Sequence, residues 1–235
     1  MEYFLDESTR FQSFTGMHYH PIWGLGLLLW LTFRYAADWE KERKFKLGFY
    51  LSLLPALTVF IRLSFVISQG KFKIEDDLPL HLCRLAALLY PVFFYFKNEK
   101  WIKILYFLVM AGTFQGLLTP DLIYSWPHFS YPLYWVMHVV LVGVAIYSVS
   151  GLGLKPTWKD IGNTLIYGNA IFISTIIINF WLGSNYFFTA RKPVTGSILD
   201  LMGPWPWYLL VMEVIAFLLF IIAYIPFMIK KESSE

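Results

Sequence analysis

The chain has 235 residues, of which 57% are hydrophobic, 20% aromatic and only 15% charged; this is too apolar for an ordinary soluble domain and marks an integral membrane protein. The net charge of +3 mostly reflects where basic loops lie and points to no nucleic-acid partner. A single cysteine excludes an internal disulfide and a multi-cysteine metal centre.

Residues 1–16 form a polar segment with Glu2, Asp6 and Glu7 and no basic n-region, so no cleavable signal is expected. Seven apolar segments follow: Met17 to Tyr35, Leu47 to Gln69, Leu78 to Phe96, Trp101 to Leu118, Tyr131 to Ser150, Ile161 to Leu182 and Trp207 to Met228. Most are near the roughly 20 residues that a helix needs to cross the hydrocarbon core. They are too long and continuous for barrel strands, and backbone groups in lipid must be satisfied internally. The predicted fold is an all-α, seven-transmembrane-helix bundle over 17–229, with a tail at 230–235.

Basic residues in the loops orient it. Lys41, Arg43, Lys44, Lys46, Lys97, Lys100, Lys155, Lys159, Lys230 and Lys231 fall on one side, against Arg10, Lys71, Lys73, Arg191 and Lys192 on the other. The asymmetry predicts an outside N-terminus and a cytoplasmic C-terminus in a multi-pass cell-membrane protein. The outer side also carries two longer loops rich in proline and aromatics, Thr119 to Ser130 and Gly183 to Pro206. Such loops on a rigid scaffold tend to hold function.

The polar residues inside the apolar segments cluster by depth. The third segment brings His81, Cys83 and Arg84 into an apolar run, which is costly unless they are used. Arg62, Gln115, His138 and Glu213 fall at comparable depth, roughly 5 to 10 Å below the outer surface at about 1.5 Å per helical residue. The inner half has almost nothing comparable, so a polar chamber opening toward the outer leaflet is expected. His81 and Cys83, two positions apart, face different ways on a helix, whereas His81 and Arg84 share a face. A base for Cys83 therefore has to come from another helix, and His138 is the best-placed histidine. Arg62 and Arg84 need anions, for which Glu213, Asp121 and Asp77 are available, and such cations favour a thiolate.

Each residue also has a plainer reading. A lone membrane cysteine is more often a small hydrophobe, His138 a helix-to-helix hydrogen-bonding group, and Arg62 with Glu213 a structural ion pair. His18 and His20 lack an obvious third metal ligand and read as interfacial.

Four ordered motifs bear on the choice: L-P-L-H-L-C (Leu78 to Cys83), G-T-F-Q-G-L-L-T-P-D-L (Gly112 to Leu122), N-Y-F-F with R-K-P (Asn185 to Pro193), and L-D-L-M-G-P-W-P-W-Y (Leu199 to Tyr208). Together they resemble the YwaF family of bacterial seven-helix membrane proteins, related to the eukaryotic transmembrane protein 164 acyltransferases. The resemblance implies a cysteine-dependent enzyme that moves fatty acyl chains between phospholipids. It places the nucleophile at Cys83 and the partner histidine at His138, with His128 competing. The eukaryotic relatives are also distantly similar to androgen-induced hydrolases of fatty acid esters, which use a threonine and a histidine.

The expected function is a membrane acyltransferase working through a cysteine thioester on the outer-leaflet side, with phospholipids and lysolipids as partners. Arg62, His81, Arg84, Gln115, Asp121 and Glu213 would bind substrate. No cofactor and no metal are implied. The alternative is a lipid- or small-molecule-binding or transport protein whose outer chamber takes a ligand without cleaving it; the near absence of polar groups in the inner half argues against transport.

Overall fold

The computed structural model describes residues 8–194 and 197–232. Glu2, Asp6 and Glu7 of the polar N-terminal segment and residues 233–235 of the tail lie outside the described residues. Nine α-helices follow one another in the described chain: α1 Gly16–Tyr35, α2 Lys41–Ser68, the short α3 Ile74–Asp77, α4 Leu82–Tyr95, α5 Glu99–Leu108, α6 Gln115–Leu118, α7 Ser130–Ser150, α8 Trp158–Leu182 and α9 Trp207–Glu232. A π-helical stretch, Val109–Thr113, joins α5 to α6, and 3-10 turns at Tyr186–Phe188 and Ile198–Met202 punctuate the segment between α8 and α9. No strand forms among the described residues beyond an isolated bridge between Arg10 and Tyr124.

Five helical bodies are long and apolar enough to cross a membrane: Lys41–Ser68, Glu99–Leu118, Ser130–Ser150, Trp158–Leu182 and Trp207–Met228. Helix α4 is apolar but has only 14 residues. At about 1.5 Å per residue it falls short of the roughly 30 Å core. The expectation of a helix beginning at Leu78 is therefore corrected. Pro79 disfavours the helical region for the residue before it, and Leu78 is extended, with φ −58° and ψ 144°. The chain turns through 78–81 and enters the helix only after His81.

Helices α2 and α8 begin three or more residues earlier than hydropathy predicts, and their first turns are held by polar groups. Thr157 and Asp160 form a capping box at the start of α8, and Asp160 also accepts from Lys103 at 2.9 Å. The start of α2 is tied to the α4–α5 connection by Lys41–Glu99 at 2.7 Å and Lys97–Glu42 at 2.6 Å.

Helix α7 is the axis of the bundle. It packs against α1, α2, α4 and α5, and Trp135, Leu141, Val144, Ala145 and Tyr147 are fully or almost fully buried. Helices α2 and α4 approach closely where Gly48 meets Phe94: a methyl group at 48 would stand 2.2 Å from the phenylalanine ring. Helices α8 and α9 pack onto α5 and the π stretch and leave large apolar side chains such as Phe180, Trp181, Leu210 and Val214 exposed. Exposed apolar faces on otherwise complete helices are what a lipid environment permits.

Candidate functional site

Because α4 starts late, Cys83 is its second residue. Leu85 N–H donates to His81 O at 2.9 Å as the first helical bond, so the N–H groups of Leu82, Cys83 and Arg84 have no carbonyl within the helix to bond. They place partial positive charge beside the Cys83 sulfur. Arg84 does not reach toward lipid. Its guanidinium donates back to Asp76 O at 3.2 Å and Leu78 O at 3.5 Å, strapping the preceding turn to α4.

The second wall comes from the π stretch and α7. His138 is buried and donates from Nδ1 to Tyr134 O at 2.9 Å. A carbonyl can only accept, so Nδ1 carries the proton and Nε2 is the basic nitrogen. Tyr134 stacks on the imidazole with centroids 4.0 Å apart and donates its hydroxyl to Gly116 O at 2.8 Å. Gly116 makes this approach possible: a methyl group there would lie 2.7 Å from His138 Cδ2 and 3.1 Å from both Nε2 and the Tyr134 hydroxyl.

The third wall is the segment between α8 and α9. Asn179 is buried near the end of α8 and spends its amide on this segment alone. Nδ2 donates to Tyr186 O at 2.8 Å and Thr189 Oγ1 at 2.7 Å, while Oδ1 accepts from Ser184 Oγ at 2.6 Å and Tyr186 N at 2.9 Å. Tyr186 in turn crosses to the turn before α4, donating to Ile74 O and accepting from Leu78 N–H at 3.0 Å. Burial raises the Tyr186 phenol above its ordinary pKa, which secures the proton that it donates. Phe187 and Phe188 hold positive φ of 57° and 55°, uncommon for aromatic residues. His81 packs against the Tyr186 and Phe188 rings, and the Tyr208 hydroxyl donates to Phe188 O.

These walls enclose a cavity of about 640 Å³, within the size range of small-molecule sites. Cys83, His138, His81, Arg84, Gln115, Asp121 and Glu213 all line it, together with Phe187, Phe188 and apolar side chains of α8 and α9. Glu213 accepts from Asn169 Nδ2 at 3.2 Å, which replaces the expected pairing with an arginine.

Two candidates stand elsewhere. Arg62 is not part of the cavity wall; it forms an ion pair with Asp77 at 2.7 Å. An intramembrane guanidinium needs an anion, and the late start of α4 leaves Asp77 free to meet it. His128 is also outside: its Nδ1 bonds to the Ser130 hydroxyl at 2.7 Å, and its ring packs against Tyr124 and Phe129. His18, expected at the interface, is instead buried, accepting from Phe14 N–H at Nδ1 and donating from Nε2 to Leu117 O at 2.7 Å. Among the described residues, no group of three or more histidine, cysteine or acidic side chains is placed to hold a metal ion.

Tyr134, Gly116, Asn179 and Tyr186 were not singled out from the sequence. Asn179 had a readable signal, an amide within the apolar run from Ile176 to Leu182. The role of the others depends on which neighbour they meet.

Long apolar helices around a polar-tipped cavity define a multi-pass helical membrane protein with an internal cavity. A family model, the TMEM164 family, matches residues 13–224. The chain belongs to that family. It is also similar to an uncharacterized protein of Treponema pallidum (strain Nichols), 27% identical over 158 residues, 65% of this chain and 63% of that protein. The match thus spans less than two thirds of that relative's length. No solved structure matches the chain.

Proposed function

We propose that this protein is a lipid acyltransferase that carries an acyl chain on Cys83 as a thioester. The observation that supports it is the convergence on one cavity of a helix-start cysteine from α4 and a tautomer-fixed histidine from α7. The resemblance to the YwaF family, related to the transmembrane protein 164 acyltransferases, points the same way. In this reading seven segments cross the membrane, α4 doing so together with the extended 78–81 turn before it, the N-terminus is outside, and the cavity opens toward the extracytoplasmic leaflet, where phospholipid ester carbonyls lie.

The chemistry runs in two balanced halves. His138 Nε2 takes the thiol proton, and the Cys83 sulfur attacks the ester carbonyl of a phospholipid. The resulting oxyanion is met by the N–H groups at the start of α4, which have no helical carbonyl to bond. Collapse breaks the ester C–O bond, the imidazolium returns its proton to the departing lysolipid oxygen, and the acyl chain stays on sulfur. A second lysolipid hydroxyl then gives its proton to Nε2 and attacks the thioester; a C–O bond forms, the C–S bond breaks, and the proton returns to sulfur. Arg84, His81 and Gln115 stand on the headgroup side, with Asp121 and Glu213 as acceptors for donor groups of the lipid. Arg62 acts indirectly, by holding Asp77 and so the turn that carries Cys83.

The test uses purified full-length protein with a phosphatidylcholine bearing a labelled acyl chain and an unlabelled lysolipid acceptor. Wild type should transfer label and yield a hydroxylamine-sensitive acyl adduct on Cys83. Cys83→Ser should abolish both, and His138→Ala should slow transfer by roughly 10²-fold or more. Undiminished turnover by Cys83→Ser sinks the mechanism and leaves lipid binding without cleavage as the function of the cavity.

A further inference from the structure

The hydroxyl of Thr113 differs from those of the other buried helical threonines among the described residues. Threonine in a buried helix normally returns its hydroxyl to a carbonyl one turn back. Thr58 donates to Pro55 O, Thr164 to Asp160 O and Thr175 to Ile171 O, each at 2.7 or 2.8 Å. Thr113 is equally buried, at 4% exposure, yet its Oγ1 has no hydrogen-bonding partner among the described residues. The cause lies in the backbone. Thr113 ends the π stretch, in which Phe114 N–H reaches five residues back to Val109 O at 2.9 Å, and the wider turn moves the carbonyl that a helical threonine would use. π segments inside helices recur at functional sites because they redirect side chains in this way.

Its position gives the hydroxyl a use. Thr113 lines the same cavity as Cys83 and His138. On one side its neighbour Gly112 faces Leu82, beside Cys83, where a methyl group would stand 2.3 Å from Leu82 Cδ2; on the other, Gly116 abuts His138. The residue therefore sits on the strip of wall that runs between the two groups. A buried donor without a protein partner is costly, and removing it harmlessly is easy for a valine of the same shape.

We propose that Thr113 Oγ1–H is a binding and catalytic donor to the carbonyl oxygen of an ester lipid held in this cavity. A rotation about χ1 exchanges hydroxyl and methyl without moving the backbone. Such a donor recognises the carbonyl oxygen of an acyl ester, which an ether-linked lipid of the same shape lacks. The inference rests on the acyl-transfer reading for its catalytic half, and its binding half is tested without turnover.

The experiment compares wild type, Thr113→Val and Thr113→Ser as purified full-length proteins, titrated with a diester phosphatidylcholine and with its diether analogue while thermal stabilisation is followed. Wild type should bind the diester roughly five- to tenfold more tightly than the diether, the effect of one hydrogen bond. Thr113→Val should lose that preference while melting no lower than wild type, and Thr113→Ser should keep it. In the labelled-acyl assay Thr113→Val should lose about 10²-fold in kcat, as removal of an oxyanion donor does. Equal ester preference in wild type and Thr113→Val overturns the proposal. So does a melting temperature that falls in Thr113→Val and Thr113→Ser together with binding, since that marks a packing role. If Cys83→Ser transfers label as well as wild type while the ester preference still depends on Thr113, the acyl-transfer reading fails and the carbonyl-binding role stands.

Discussion

Replacing Gly116 with alanine inserts one methyl group into the contact that sets the imidazole. That methyl would lie 2.7 Å from His138 Cδ2, whereas carbon atoms rest at about 3.5 to 4.0 Å, so the ring must move by about 1 Å. It has little room to do so gently. Nδ1 is bonded to Tyr134 O, the other face is stacked on Tyr134, and the Tyr134 hydroxyl lies 3.1 Å from the same methyl. Overpacking of this kind costs about 1 to 3 kcal/mol, which a bundle with an α7 core tolerates. A displacement of about 1 Å in a reacting group costs roughly 10²-fold in rate. Gly116→Ala should therefore remain folded in the membrane, with a melting temperature lowered by several degrees, and lose about two orders of magnitude in kcat for labelled-acyl transfer. The backbone itself accepts alanine, because position 116 lies within helix α6. Full activity in a folded Gly116→Ala protein would falsify the assignment of His138 as the base in this geometry.

Two further outcomes are expected, one from the fold and one from the basic-residue asymmetry of the loops. Asn179→Ala removes four hydrogen bonds to residues 184–189 and leaves buried partners unpaired, at a cost of about 2 to 4 kcal/mol; limited proteolysis should then cut between α8 and α9 at protease levels that leave wild type intact. A reporter fused after Glu235 should be active only on the cytoplasmic side, and activity on the external side alone would remove the outer-leaflet setting of the site.

Where the physics is local, the sequence carried the answer. Hydropathy over some twenty residues located each apolar segment, and every one contains helix in the folded chain, because a backbone without water must bond to itself. The unique thiol at a helix start and the histidine on another helix were also legible, from residue rarity and helical spacing. Elsewhere the outcome depended on partners remote in the chain. Pro79 signalled a break, yet how far it delays α4 depends on Arg84 bonding back to Asp76 and Leu78 and on Tyr186 reaching over from beyond α8. Arg62 required an anion by any reading, but only tertiary packing chose Asp77 over Glu213. His138 was the better-placed histidine by depth, with His128 competing through the resemblance; the fold seats His128 against Ser130 and His138 in the cavity. The π stretch has no hydropathy signature at all, since it keeps the same apolar residues and changes only which carbonyl each N–H finds. That choice is made by packing between α4, α7 and α9, and it is what leaves the Thr113 hydroxyl unspent.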